Sequence, residues 1–335
     1  MMKKIILILA AFFISSQAFA GGPLKIIFDT DMGADVDDCI AMEVLYHYMD
    51  KGKVDLLGVL SSKREIESVM YLDILNTCAG HAEIPMGIVK TYPEEKYVMR
   101  HKDFSYKIVQ SGKHPRSLTD YESLPDGYKL ARRLLAGNGG KRDITFVAVG
   151  ASTNLRRLME SGPDEISPLT GMDLIKQNVC KLVIMAGDFH REQTEWNVKV
   201  DVPSARMILE RWPSPVIISD HEIGYNMRIP LPRVRYNFGE SHPVTEAFEI
   251  LLPTSTMPME RPLHDPAAVV FAVELCEKYA SLSPLGTVTV CDDAMTRFHP
   301  DPAGDRRYIL HNDSQNKAVT EKIFKITRLP KRLRR

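Results

Sequence analysis

The chain has 335 residues, and its 43 Lys and Arg balance 43 Asp and Glu. That balance gives no support for a nucleic-acid partner, and the one basic run, Lys331-Arg332-Leu333-Arg334-Arg335, reads as a solvated end. Five cysteines (Cys39, Cys78, Cys180, Cys276, Cys291) are scattered without a C-x-x-C pair, so neither a zinc cluster nor a disulfide framework is indicated, and they read mainly as core residues.

The first twenty residues read as a secretory signal: Lys3 and Lys4, an apolar run from Ile5 to Ile14, then Ala18-Phe19-Ala20 before a cleavage point. The apolar run is short for a bilayer span, so removal after Ala20 is expected. The mature chain of about 315 residues would begin at Gly21, carry a charge near −2, and reside in the periplasm or be secreted. No later segment is long and apolar enough for a membrane helix. Residues 21–335 show no repeat or linker and read as a single α/β domain.

Strand and helix patterns alternate along the mature chain. Leu24–Phe28 is a short β-type run, and after an Asp-rich loop Ile40, Ala41, Val44, Leu45, Tyr48 and Met49 paint one helical face. Val54–Leu60 reads as the next strand, and Ile66, Val69, Met70, Ile74 and Thr77 as the next helical face. Further strands are predicted at Ile144–Val149, Leu182–Ala186 and Val216–Ile218, with helices at Thr153–Glu160 and Pro203–Arg211. Residues 90–126 have no clear period and read as a surface excursion. Residues 221–263 read as irregular apart from a helical patch at Val244–Leu251. The alternation predicts a mostly parallel central sheet with helices on both faces, an open α/β fold with its site at the C-terminal ends of the strands.

Chemistry concentrates where the first strand ends. Asp29-Thr30-Asp31-Met32-Gly33-Ala34-Asp35-Val36-Asp37-Asp38 puts five carboxylates into ten residues, and these repel one another unless a cation sits among them. Oxygen-seeking Ca²⁺ or Mg²⁺ suits them, and no Cys/His cluster suggests zinc. Gly33 allows a tight turn, and Asp37 or Asp38 would begin the next helix. An EF-hand is excluded, because counting from Asp29 the sixth position is Ala34 and the twelfth Ile40. Far downstream, His264-Asp265-Pro266 leads into an apolar helix over Ala267–Tyr279, with Asp265 suited to cap it. Two weaker patterns are Met185-Ala186-Gly187 followed by Glu195-Trp196-Asn197, whose polar residues would share a side in extended chain, and Val147–Asn154, a strand entering a Gly turn.

Together and in this order, "FDTDMGADVDD", "VAVGASTNL", "EWNVKVD" and "HDP" resemble the inosine-uridine-preferring nucleoside hydrolase family over essentially the whole mature chain. The resemblance implies Ca²⁺-dependent hydrolysis of the N-glycosidic bond of ribonucleosides or a related ribosylated compound, and a homo-oligomer. It implies that Asp31, Asp38 and Asp265 are side-chain Ca²⁺ ligands, with the carbonyl of Val149 as a main-chain ligand. Asp31 would also act as general base on water held by the ion. Asp37, Glu195 and Asn197 would contact the ribose, Met185 would wall the sugar pocket, Asp29 would support the acidic loop, and His264 would protonate the leaving base.

Some positions depart from the family pattern. Asp35-Val36 lengthens the acidic loop, and Ser61-Ser62-Lys63 stands where a sugar-binding Asn is common. Residues 188–194 lack an Asn for the ribose 5′ end, and His101 is the nearest counterpart of a base-side His-Gly motif. Two other readings use the same residues: a haloacid-dehalogenase-like phosphohydrolase built on Asp29-Thr30-Asp31, and a non-catalytic Ca²⁺-dependent extracytoplasmic nucleoside- or sugar-binding protein.

Overall fold

Short aliphatic runs form the strands of the computed structural model, which describes residues 22–91, 103–252 and 259–331. The signal-like stretch and His101 lie outside the described residues. In chain order the strands are β1 (Leu24–Thr30), β2 (Val54–Ser61), β3 (Met86–Ile88), β4 (Ile144–Ala148), β5 (Val179–Met185) and β6 (Val216–Ser219). β7 (Arg228–Pro230) and β8 (Glu260–Pro262) make a separate antiparallel pair. β9 (Ser281–Leu282), β10 (Gly286–Val290), β11 (Thr296–Pro300) and β12 (Arg306–Leu310) complete the main sheet.

The sheet order is β11-β10-β12-β6-β5-β4-β1-β2-β3, with β9 alongside β12. Every pairing from β12 to β3 is parallel, while β10 runs antiparallel to β11 and β12. From β1 the chain builds outward through β2 and β3, then returns to place β4 on the other side of β1. That reversal makes the β1/β4 edge a topological switch point, where loops diverge and leave a crevice.

The period-2 alternation of strands supplies two cores. Ile26, Phe28, Val147 and Val183 face helices Asp37–Asp50, Ile66–Ala79, His264–Glu274 and Asp313–Ile326. Ile27, Phe146 and Ile184 face helices Gly127–Gly137, Thr153–Glu160, Gly171–Asn178 and Val202–Arg211. Each fully buried Ile, Val or Phe contributes about 1.5–3 kcal/mol relative to exposure. Summed over two cores, that burial can hold a cluster of like charges together at the sheet's C-terminal edge.

Several predicted elements are redrawn. The predicted excursion contains the helix Phe104–Ser111, whose Phe104, Ser105, Ile108 and Val109 are buried, so part of it is core. The described residues of 221–263 include the helices His221–Tyr225, Leu231–Phe238 and Pro243–Leu251, besides β7 and β8. The helix predicted over Ala267–Tyr279 runs instead from His264 to Glu274. Of the five free cysteines only Cys39 is buried, while Cys78 and Cys276 are exposed, so the core reading holds for Cys39 alone.

Candidate active site and cation centre

Parallel register brings the ends of the central strands to one level. Asp29 of β1 lies opposite Leu60 of β2 and Ala148 of β4, and Thr30 opposite Ser61. Beyond Thr30 the backbone turns through Gly33 at φ +106°, a left-handed value that a side chain would resist. A Cβ at Gly150, just past β4, would come within 2.6 Å of the Asp31 nitrogen and 2.9 Å of its Cβ. Two glycines therefore let the acidic loop lie against the end of β4.

Four of the loop's five acids are almost completely buried: Asp29, Asp31, Asp37 and Asp38, like the distant Asp265, are each at most 5 % exposed. One carboxylate oxygen each from Asp37, Asp38 and Asp265 lie within 4.8 Å of one another. Burial pushes Asp31 up to about 7 and Asp37 up to about 8. Asp38 and Asp265 are also raised, by burial and then by their acidic neighbours, Asp31 and Asp37 among them. Mutually repelling buried carboxylates at a switch point are a site prepared for positive charge.

The sequence reading paired Asp31, Asp38 and Asp265 as ligands and gave Asp37 to the sugar. The geometry brings Asp38 and Asp265 together, and the third member of the tight group is Asp37. Asp37 Oδ2 accepts the backbone N–H of His264 (3.0 Å) and of Asp265 (3.2 Å). The downstream helix begins at His264, and its N-cap residue Leu263 offers no side-chain bond. Asp265 is thus no cap; a side chain from the acidic loop caps the helix instead, which frees Asp265 for the cluster.

Supporting bonds fix the other acids. Asp38 Oδ1 accepts from Thr30 Oγ1, while Asp38 Oδ2 is buried without a partner among the described residues. Asp29 Oδ2 accepts from Asn154 Nδ2 (2.9 Å), and Asn154 also donates to the Ser61 carbonyl (3.0 Å). An orphaned buried carboxylate oxygen beside two further carboxylates is a donor set for a hard divalent cation, and these residues fit one.

The opposite wall comes from β4, β5 and the loop after β5. Asn197 Nδ2 donates to the carbonyls of Val149 (2.8 Å) and Met185 (3.2 Å). Glu195 and Asn197 do not share a side of extended chain. Glu195 caps the short helix Trp196–Lys199 and accepts from the N–H groups of Asn197 (2.7 Å), Val198 (3.1 Å) and Gly187 (3.1 Å). Three N–H bonds to one carboxylate make Glu195 the fastener of this loop. Burial still raises it to about 7.

His264 brings residues that sequence reasoning missed. Its ring lies 5.0 Å, centroid to centroid, from that of His221, which stacks in turn on Tyr225 at 5.6 Å. Any Cβ at Gly224 would collide with the His264 ring, so this glycine permits the approach. His221 Nδ1 is 3.1 Å from Gln193 Nε2, which donates to the buried Asp188 (2.6 Å). His264 Nδ1 is buried without a partner among the described residues. Burial, with His221, Arg261 and Arg228 nearby, lowers His264 to about 3, so its imidazole is neutral at neutral pH. Lys63, where the family commonly has Asn, is wholly buried and ion-paired with Asp103.

Solved structures share this architecture. A plant nucleoside hydrolase, the PpNRh1 enzyme, superposes with a TM-score of 0.72 at 19% identity, covering 92% of this chain and 100% of its own. The purine-preferring ribonucleoside hydrolase of Gardnerella vaginalis gives 0.70 at 17% identity, covering 91% and 100%. The type III effector protein XopQ, solved with adenosine diphosphate ribose, gives 0.67 at 14% identity, covering 92% and 94%. No curated protein matches the chain by sequence. A family model for the inosine-uridine preferring nucleoside hydrolases matches residues 26–319, from within β1 into the last helix, and the chain belongs to that family of N-glycosyl hydrolases.

Proposed function

We propose that the protein is a Ca²⁺-dependent hydrolase of ribonucleosides or a related ribosylated compound, releasing free base and ribose. The observation that carries this reading is the convergence of buried Asp37, Asp38 and Asp265 beside Asp31 at the switch point. Asp38, Asp265 and Asp31, with the Val149 carbonyl, would hold the ion, and Asp37 would share in it or turn its free oxygen to a ribose hydroxyl. Bound Ca²⁺ would supply positive charge that eases deprotonation of water and orients vicinal hydroxyls.

Asp31 accepts the proton of the attacking water as the water oxygen bonds to C1′ and the C1′–N bond breaks. Its place in the buried acidic loop, beside Asp38 and Asp265, puts a carboxylate next to the water that the ion would hold. The surrounding carboxylates stabilise the positive charge that grows on the sugar ring. Asn197 and Met185 line the sugar side, Glu195 holds their loop, and Asp29 anchors the base of the acidic loop through Asn154. His264, neutral, would give the departing base an N–H hydrogen bond, and the base would take its proton from solvent as it leaves. With the signal-like start, the reading extends to an exported, single-domain, homo-oligomeric enzyme acting in the periplasm or outside the cell.

The test is incubation of the pure protein with a nucleoside panel, with Ca²⁺ and with chelator. The panel includes adenosine diphosphate ribose, because XopQ was solved with it. Free base that appears with Ca²⁺ and vanishes with chelator supports the proposal. Phosphate release from sugar phosphates without free base would favour the phosphohydrolase reading, and binding without turnover the binding-protein reading.

A further inference from the structure

The acidic loop carries a carboxylate that does not join the cluster. Asp35 points to the rim, where it pairs with Arg261 through Nε (3.0 Å) and Nη2. The two residues are 226 positions apart, and both side chains are about one-third exposed. Arg261 belongs to β8 and stands three residues before His264, so the pair ties the loop to the segment that delivers His264 and Asp265.

A second tie lies beneath it, in the two backbone N–H bonds accepted by Asp37. The inner tie fixes the helix start against the loop through a single carboxylate oxygen. The fork of Arg261 on Asp35 adds a second point of attachment, and two points define an axis. Asp38 and Asp265, which come from the two tied segments, can then keep their oxygens converged despite their repulsion.

We propose that Asp35 and Arg261 are positioning residues that hold the two halves of the cation site in register and so set its affinity for Ca²⁺. This rests on the cation reading above. Neither residue belongs to the tight group of Asp37, Asp38 and Asp265. The lengthened loop thereby gains a role: its additional acid serves as a strap anchor.

Calorimetric titration with Ca²⁺ alone, on the full chain, tests the strap. Asp35→Leu/Arg261→Met removes one charge of each sign, so the net charge of the chain is unchanged while the link is lost. It is expected to bind Ca²⁺ about 10-fold more weakly. The swapped pair Asp35→Arg/Arg261→Asp is expected to recover wild-type affinity within about 3-fold. Turnover at saturating Ca²⁺ should stay near wild type, with the change confined to the Ca²⁺ concentration required. Melting in chelator confirms that each variant folds. Wild-type affinity in the neutral pair, or equal loss in both variants, overturns the strap. A wild-type protein that binds no Ca²⁺ overturns the cation reading itself.

Discussion

Thr30 and Asp38 close the acidic loop on itself. The hydroxyl of the last residue of β1 donates to one oxygen of an acid in the first turn of the following helix. The bond fixes Asp38 so that its other oxygen stays buried and unmatched. Leaving such an atom bare costs about 1–3 kcal/mol, more for a charged group. The fold carries that cost at a point where two further carboxylates converge.

Asp38→Asn should therefore affect stability and binding in opposite directions. At alkaline pH, where the cluster loses its protons, removing the Asp38 charge relieves its repulsion from Asp31, Asp37 and Asp265, so the melting temperature in chelator should rise there. The same change deletes a ligand oxygen, and Ca²⁺ affinity should fall by about 100-fold or more, the upper range for perturbing a metal site. Calorimetry and thermal melting on one preparation check both. Unchanged Ca²⁺ binding would remove Asp38 from the ligand set.

The same charges set a pH dependence. Burial first, then like charge, raises Asp31 to about 7 and Asp37 to about 8, and also lifts Asp38 and Asp265. In the folded cation-free protein these groups keep protons that an unfolded chain would release near pH ~4. Their contribution to stability is complete below that point and is lost as pH rises through 7 and 8. Melting in chelator should accordingly fall between pH 5 and 8.5, and the gain on adding Ca²⁺ should grow over the same range. A gain that is flat with pH would contradict this assignment.

Local pattern made the sheet and the acidic loop legible. β1, β2, β4, β5 and β6 fall within a few residues of their predicted bounds, because alternating or continuous aliphatic runs leave few other options. The acids of the loop were visible because carboxylates so close together demand a partner. Pairings across the chain had no local signal. Lys63 meets Asp103 across 40 positions, Arg261 meets Asp35 across 226, and Asp37 caps a helix whose sequence pointed to Asp265. Glu195 was misread because Glu is an uncommon N-cap, and an alternating polar pattern reads as strand until its N–H partners are known. His221 and Gly224 sit in a stretch without periodicity, and only the close approach of the rings shows their relation to His264.

Asp31→Asn keeps the shape of the side chain but removes its ability to take a proton. Turnover at saturating Ca²⁺ should drop about 10²–10⁴-fold, the usual worth of a positioned general base. KM should move less than kcat, because Asp31 acts mainly on the attacking water. Steady-state kinetics on the best nucleoside of the panel measure the split. Near wild-type turnover would take the base role away from Asp31.

Two Gly→Ala substitutions separate the site from ordinary helix. At Gly150 the added methyl would press on the Asp31 backbone nitrogen at 2.6 Å, and backbone cannot swing aside as a long side chain can. The end of β4 and the acidic loop must then part, moving the Val149 carbonyl away from the carboxylates. Gly150→Ala is expected to cost about 1–3 kcal/mol of stability, as overpacking does. It should also remove most activity, because small displacements of reacting groups have large effects on rate. Gly137, in the last turn of the helix Gly127–Gly137, has open space around its missing Cβ. Gly137→Ala should leave activity unchanged and raise stability by about 0.5–1 kcal/mol through lower backbone entropy in the unfolded chain. Thermal melts and nucleoside turnover, run side by side, decide it. An active, stable Gly150→Ala protein would show that the acidic loop does not depend on its close contact with β4.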